Sequence, residues 1–242
     1  MPPIRRRDLL AGTALVLLET GVARSAILQG ELPWEPAPEH SLYPNTAGGW
    51  HFFTAQQAAM VEAMADRLIP PDPQTPGGGQ AGCAVYIDRQ LVGPYGSNAG
   101  LYERAPFMKG TASQGNQSST TPAQLYRAGL PALDSWCQAQ RGHAWVQLST
   151  EQQDEVLRGL EAGQIQLQGV NGETFFQAVL KDVKEGFFAD PIYGANRDMC
   201  AWKMIGFPGA RYNYRDWVGR HNERYPYPPV SIAGSPDWSA GG

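Results

Sequence analysis

The chain has 242 residues, a formal net charge of −4 and a pI near 5.6. Nucleic-acid binding requires clustered Lys and Arg, so this acidic balance argues against nucleic acid as a partner. The 20 prolines, 28 glycines and 10% aromatic residues indicate a loop-rich chain in which Trp, Tyr and Phe supply much of the buried area.

Residues 1–26 have the three regions of an export signal: a basic start, a short apolar run and a small-residue exit. Arg6 and Arg7, followed by Leu9 and Leu10, are typical of the twin-arginine route. The apolar run has only 10 residues, whereas a membrane-spanning helix needs about 20, so we expect cleavage rather than anchoring. Beyond this signal we find no apolar run of spanning length and expect no membrane span. This route carries folded proteins, often with a cofactor or a bound partner. The chain therefore either folds around such a cofactor or partner before export, or it travels with a protein that does.

The segment 27–50 is Pro-rich and has no period, which predicts an extended arm that is ordered only where it lies on another surface. A helix is predicted after Thr54, because Thr54 and Gln57 have the spacing of a capping box. Pro70 and Pro71 end this helix. Its apolar positions recur at helical spacing: Val61, Met64, Ala65 and Leu68.

Two further helices are predicted on either side of a long insertion. The first covers residues 83–91, and the insertion, 92–120, is rich in Gly, Ser, Asn and Gln, as in a docking loop or a mobile segment. The second begins at residues 121–122, where a Thr cap is followed by Pro. Gly129 and Pro131 predict a break or a kink within it.

A fourth helix is predicted from its cap at Ser149 to Gly163, and a fifth from Asn171 to the turn that contains Asp190. Strand signals are nearly absent, since no window alternates apolar and polar residues for long. The last 40 residues are aromatic, Pro-rich and Gly-rich, which indicates a wrapped tail. The prediction is a mainly α-helical single domain over residues 51–242, with long Pro/Gly-rich irregular loops, an N-terminal arm and an aromatic C-terminal tail.

No local motif indicates a catalytic, cofactor or metal site. Gly77, Gly79 and Gly82 have the spacing of a dinucleotide-binding turn, but a helix and prolines precede them where that turn requires a strand. No Cys-x-x-Cys-His occurs, which excludes covalently attached haem on spacing. Asp88 followed by Arg89 is interpreted as a solvated ion pair. The scattered histidines are interpreted as surface or hydrogen-bonding residues: His40, His51, His143 and His221.

Three cysteines are present, Cys83, Cys137 and Cys200, and an exported chain takes them into an oxidising compartment. An odd count permits at most one internal disulfide and leaves one thiol that is free or paired with another chain. The alternative is that all three are buried thiols.

Two segments resemble the small subunit (gamma, subunit 3) of gluconate 2-dehydrogenase, whose relatives serve flavin-dependent glucose, fructose and sorbitol dehydrogenases. The first signature comprises Phe53 to Gln56, Ala65 to Pro70 and Gly82 to Asp88. The second comprises Gly186 to Phe188, Asp190, Pro191, Tyr193, Gly194 and Gly206 to Gly209. The closing segment 213–232 looks most like the gluconate type.

This resemblance implies a non-catalytic subunit of a membrane-associated complex on the periplasmic face of the inner membrane. In that family a large flavoprotein oxidises the sugar or sugar acid and a multihaem cytochrome c passes the electrons on. FAD and haem c are therefore expected in partner subunits, with no cofactor in this chain. The small subunit supports folding of the flavoprotein and its export by the twin-arginine machinery.

If so, the arm from Gln29 to Trp50 and the aromatic tail from Trp202 to Trp238 are predicted to lie on the large subunit. Tryptophan is a frequent interface anchor, and the predicted anchors are Trp34, Trp50, Trp217 and Trp238. The leftover thiol is a candidate for a crosslink to the flavoprotein. Two other classes stay open: an independent periplasmic hydrolase or lyase, and a binding or chaperone module without a fixed partner.

Overall fold

The computed structural model describes residues 49–99, 101, 107–108, 110–111, 118–211 and 213–232. These residues form six α-helices and no β-strand, which confirms the predicted mainly helical fold. The predicted signal, most of the arm and the last residues of the tail lie outside the described part of the chain. The helices are α1 Ala55–Leu68, α2 Cys83–Val92, α3 Pro122–Arg141, α4 Thr150–Glu161, α5 Gly172–Phe188 and α6 Cys200–Ile205. None of these helices has both the length and the apolar character that a bilayer crossing requires.

Three helices begin with a capping box. Before α1, the Gln57 N–H donates to Thr54 Oγ1 at 3.2 Å, and the Thr54 N–H donates to Gln57 Oε1 at 3.0 Å. These bonds satisfy donors that a helix N-terminus otherwise leaves open. The same reciprocal pair precedes two other helices: Thr121 with Gln124 before α3, and Ser149 with Gln152 before α4. The predicted starts of all three helices are confirmed.

Helix α5 is the centre of the fold, because it contacts each of the other five described helices. Apolar residues spaced four apart lie along the core-facing side of this helix. They are Phe175, Val179, Val183 and Phe187, and Phe176 is buried beside them. The aromatic ring of Phe175 packs edge-on against that of Tyr126 on α3, with the ring centroids 5.9 Å apart.

Helix α3 is continuous over its 20 residues, so a break at Gly129 or Pro131 does not occur. Gly129 has a packing role, since a Cβ at this position would overlap the ring of Phe175 on α5. Pro131 removes one backbone hydrogen bond from the helix. Burial compensates for this loss, because Leu130 and Leu133 on either side of the proline are fully enclosed in the core.

Helix α6 is not among the predicted elements, because six residues are too few to show a helical period. Its Trp202 is only 5% exposed. The indole N–H of Trp202 donates to the Phe188 carbonyl at 2.9 Å, and its ring meets that of Phe207 at 5.1 Å between centroids. The prediction that the wrapped tail begins at Trp202 is therefore wrong, since this residue packs inside the helical unit of its own chain.

Asp88 on α2 fastens the segment that leads into α1. Its carboxylate is fully buried and accepts hydrogen bonds from the backbone N–H groups of residues 51–53, each at 2.9 Å. Arg89 donates to the same carboxylate at 2.6 Å and to the Gly49 carbonyl at 2.9 Å. The predicted solvated Asp88–Arg89 pair is therefore wrong, because backbone donors distant in sequence take the place of water.

Three more buried aspartates fasten irregular segments in the same way. Asp134 accepts from the Trp145 N–H at 2.9 Å, Asp182 from the Tyr95 hydroxyl at 2.7 Å, and Asp190 from the Ile232 N–H at 2.8 Å. Each bond joins an α-helix, or a turn beside one, to a stretch outside the α-helices. These carboxylates fix the paths of the loops, of the chain before α1 and of the tail.

The long insertion begins and ends at one place. The Ala123 N–H at the start of α3 donates to the Gly96 carbonyl at 3.0 Å, so the residues on either side of the insertion are held together. Half of the residues between them lie outside the described chain, and the prediction of a docking loop or a mobile segment stays a prediction.

We expect the Asp88→Ala variant to lose about 3–5 kcal/mol in free energy of unfolding, because it leaves Arg89 as an uncompensated buried charge and three backbone donors without an acceptor. Urea denaturation followed by circular dichroism measures this loss. The exposed Asp216→Ala change is the control and should stay within about 0.5 kcal/mol of the unmodified protein. Equal stability of the two variants would contradict the anchoring role.

Candidate partner-binding surface

The first signature segment holds helices and a loop together. Arg67 binds Asp154 through two bonds, Nε to Oδ1 at 2.7 Å and Nη2 to Oδ2 at 3.1 Å, which link α1 to α4. This hydrogen-bonded pairing holds the pKa of Asp154 below its ordinary value. Asp66 accepts the Gly79 N–H at 2.8 Å, and a Cβ at Gly77 would overlap the same carboxylate. Gly77 and Gly79 therefore lie against a carboxylate of this chain, whereas Gly82 packs against the Gly194 carbonyl and the Arg197 side chain.

The second signature segment also has a framework role. Asp190 begins the 3-10 turn Pro191–Tyr193 by accepting the Ile192 N–H at 2.9 Å, and its carboxylate also accepts the Ser231 hydroxyl at 2.8 Å. The two signature segments meet at Gly82 and Gly194, where a Cβ on Gly82 would overlap the Gly194 carbonyl oxygen. The polar signature residues Asp66, Arg67 and Asp190 thus hold the helical unit and its tail in place.

Exposed apolar side chains gather around the end of α6. We define the α6 patch as Phe188, Met204, Ile205 and Phe207, which are 42%, 50%, 57% and 43% exposed. Trp202 lies beneath this patch and joins its two ends, since it contacts both Phe188 and Phe207. A contiguous apolar patch on a soluble protein usually marks a binding site.

Beyond the α6 patch, residues 210–229 form what we call the aromatic loop. Tyr225 is at its centre, with the ring centroids of Trp217, Tyr227 and Tyr214 at 5.1, 5.6 and 6.0 Å. Arg211 lies over two of these rings, 5.3 Å from the centroid of Tyr225 and 5.4 Å from that of Tyr227. The main hydrophobic cluster of the described chain contains none of these side chains.

Two of the four predicted tryptophan anchors can be placed. Trp50 is half-buried against the main core, with its ring 6.4 Å from that of Phe53, so only part of its indole faces outward. Trp217 is half-exposed within the aromatic loop. Trp34 and Trp238, like the signal residues Arg6, Arg7, Leu9 and Leu10, lie outside the described residues.

All three cysteines are described, and each is a free thiol in this structure. Burial raises the pKa of Cys83 to about 12 and that of Cys137 to about 12. Cys200 is only half-buried, and burial raises its pKa as well. Within the described ranges, no cluster of three or more His, Cys, Asp or Glu side chains is arranged to hold a metal ion.

Asp182 on α5 is a buried titratable group. Its carboxylate is 2% exposed and accepts the Tyr95 hydroxyl at 2.7 Å and the Tyr126 hydroxyl at 2.9 Å. Burial raises the pKa of Asp182 to about 6, although the two hydroxyl donors and Lys181, whose Nζ lies 3.9 Å away, act in the opposite direction. The negative charge of Glu185 adds to the rise. Asp182 therefore joins the segment after α2 to both α5 and α3 in a way that depends on pH.

With the helical unit, its two signature segments and its exposed aromatic end described, comparison with known proteins identifies the class. The sequence model of gluconate 2-dehydrogenase subunit 3 matches residues 55–209. The chain belongs to the gluconate 2-dehydrogenase subunit 3 family, which confirms the resemblance. Membership of this family implies a multi-subunit dehydrogenase complex. Neither the curated proteins nor the solved structures contain a match to the chain.

Sequence patterns did not reveal Trp145, one of the largest fully buried side chains. It lies in a three-residue 3-10 turn between α3 and α4. Its backbone N–H donates to the Asp134 carboxylate, and its backbone carbonyl accepts from the Gln153 side-chain amide. A turn of this length has no period to detect. The only signal in the sequence is an isolated tryptophan between two amphipathic helices.

We expect native protein treated with iodoacetamide at pH 8 to be alkylated first at Cys200. The thiolate is the reactive form, and burial both shields Cys83 and Cys137 and raises their pKa values. Peptide mass spectrometry at successive times gives the order of modification. Denatured protein is the control and should react at all three positions. Reaction of a buried thiol as fast as Cys200 would contradict this assignment.

We expect the Asp182→Asn variant to lose part of the pH dependence of stability. A carboxyl group whose pKa is raised on folding stabilises the native state at low pH, and this contribution disappears as the pH rises through about 6. When the pH is lowered from 7.5 to 5, protonation of the Asp182 carboxyl should therefore add about 1 kcal/mol to the free energy of unfolding. Urea denaturation at both pH values tests this. The exposed Asp216→Asn control should keep the dependence, and an unchanged dependence in Asp182→Asn would refute the assignment.

Proposed function

We propose that this chain is the non-catalytic small subunit of a flavin-dependent gluconate 2-dehydrogenase (acceptor) complex and that it accompanies the flavoprotein subunit through the twin-arginine route. The observation that carries this proposal is the family match over residues 55–209, taken together with the signal pattern of residues 1–26. The same match is compatible with the small subunit of a related fructose, sorbitol or glucose dehydrogenase complex, because the contacts to the sugar belong to another polypeptide.

In this proposal the redox chemistry takes place in partner subunits. A large subunit holds FAD and oxidises the sugar acid, and a multihaem cytochrome c receives the electrons. The complex lies on the periplasmic face of the inner membrane. Support comes from what the described side chains do: the polar residues of both signature segments are engaged in contacts within the chain.

A subunit that carries its partner through the export machinery needs a firm attachment between its N-terminal segment and its folded helical unit. The residues that follow the signal and the arm reach the helical unit at 49–53, where Asp88 accepts three backbone N–H groups and Arg89 holds the Gly49 carbonyl. A junction with four hydrogen bonds around a buried carboxylate resists local opening, because opening it exposes a buried charge and unpaired donors together. This junction suits a chain that is exported in the folded state with a partner attached.

The decisive test is to replace Arg6 and Arg7 with lysine in cells that produce the complete complex. We expect periplasmic dehydrogenase activity, measured with an artificial electron acceptor, to fall to background while the flavoprotein remains in the cytoplasm. Arg24→Lys, a change of another basic residue in the same signal, is the matched control and should have no effect. Undiminished periplasmic activity in the double variant would end the escort proposal.

A further inference from the structure

The aromatic loop has a closed neck that fixes where it leaves and rejoins the helical unit. The Ala210 N–H donates to the Val230 carbonyl at 2.6 Å, and the Val230 N–H donates to the Pro208 carbonyl at 3.2 Å. Gly209 has a φ of +81°, and a Cβ there would overlap the Val230 backbone, so the neck requires glycine. Compact loops whose ends meet in this way are frequently functional.

The neck is itself fastened to the framework. Asp190 accepts the Ser231 hydroxyl and the Ile232 N–H, both at 2.8 Å, immediately after the two ends of the loop have met. The Tyr214 hydroxyl also donates to the Gly209 carbonyl at 3.2 Å. The aromatic loop is therefore presented in one orientation, next to the α6 patch that ends at Phe207. A surface held in place before binding loses less conformational entropy when a partner arrives.

The charge of the aromatic loop is opposite to that of the chain as a whole. The loop contains four arginines, no lysine and two carboxylates, whereas the whole chain carries a net charge of −4. Two of its four arginines, Arg211 and Arg220, lie over rings: the Arg220 guanidinium is 4.5 Å from the Trp217 ring centroid and 3.9 Å from the Glu223 carboxylate. Arg215 and Arg224 are exposed, and so are Tyr227 at 53% and Val218 at 73%.

This combination fits one kind of partner. Protein interfaces are enriched in Trp, Tyr and Arg and depleted of Lys, which is the composition of the aromatic loop. The guanidinium group pairs with a carboxylate through two parallel bonds, a geometry that lysine cannot provide. A lipid-binding element instead presents a long amphipathic helix with inserted Leu or Phe, and the longest helical turn in this loop has three residues.

We propose that the aromatic loop binds an acidic surface of a partner protein, through the exposed guanidinium groups of Arg215, Arg220 and Arg224 around the Trp217 and Tyr227 rings. This inference rests on the proposed function, since the partner is the large flavoprotein subunit of that complex. The loop lies outside the matched residues 55–209, so the family match by itself assigns it no role.

The test uses the complete complex, solubilised and purified through a tag on this chain, with flavin absorbance as the measure of bound large subunit. The loop variant replaces Arg215, Arg220 and Arg224 with alanine. We expect the affinity for the flavoprotein to fall at least about tenfold. The unmodified complex should dissociate as salt is raised, because the screening length falls from about 10 Å at 0.1 M to about 3 Å at 1 M. Arg→Lys changes at the same three positions keep the charge. They should give an affinity between that of the unmodified complex and that of the alanine variant.

The matched control removes three positive charges from the helices, with Arg141, Arg158 and Lys184 replaced by alanine; this variant should retain the flavoprotein. Both triple variants should have the unfolding midpoint of the unmodified chain by circular dichroism. The loop side chains lie outside the main core and, among the described residues, the control side chains form only partly exposed ion pairs or none.

Three outcomes count against the inference. A loop variant that holds the flavoprotein as tightly as the control overturns it and leaves the proposed function intact. Selective loss of binding to phosphatidylglycerol vesicles, with the complex unaffected, assigns the loop to a lipid surface and also overturns it. If the unmodified tagged chain recovers no flavoprotein at all, the proposed function fails, and the inference fails with it.

Discussion

The structure depends on aspartate side chains that accept backbone N–H groups from segments without regular structure. In a helical protein the helix carbonyls are occupied by the helices themselves, and there is no sheet to which a loop could be paired. A buried loop N–H must still find an acceptor, or folding loses the free energy of a hydrogen bond to water. Asp88, Asp134 and Asp190 provide those acceptors from the helical framework and the turn beside it, and Asp182 holds the segment after α2 by accepting the Tyr95 hydroxyl. They allow a chain with 20 prolines and 28 glycines to follow one path.

Local patterns predicted five of the six described helices, and distant contacts determined the rest. The capping box at Thr54 and Gln57 is complete within four residues, so the sequence is enough to place it. The state of Asp88 depends on donors 35 to 37 residues away, and no local pattern distinguishes it from a surface aspartate. Gly129 and Pro131 do not break α3 for a related reason, since the packing of α3 against α5 outweighs their weak helix propensity.

The candidate surface was predictable in composition and unpredictable in shape. An aromatic, Arg-containing tail is visible in the sequence and suggests contact with a partner. That Trp202 turns inward while Trp217 and Tyr227 stay at the surface follows from α6 and from the neck at Gly209. The family match ends at the same glycine. The family match thus covers the helical framework, and the signal and the aromatic loop lie outside the matched residues.

The hydrogen bond between Gly96 and Ala123 holds together the two ends of the stretch that lies between them. Lengthening a connection whose ends already meet costs little, since each doubling of a flexible loop adds only about 0.6 kcal/mol of closure entropy. Insertions and deletions in this stretch should therefore be tolerated better than insertions and deletions within the helices. The stretch also offers a place to insert a fluorescent reporter, with which the location of the protein in the cell could be followed.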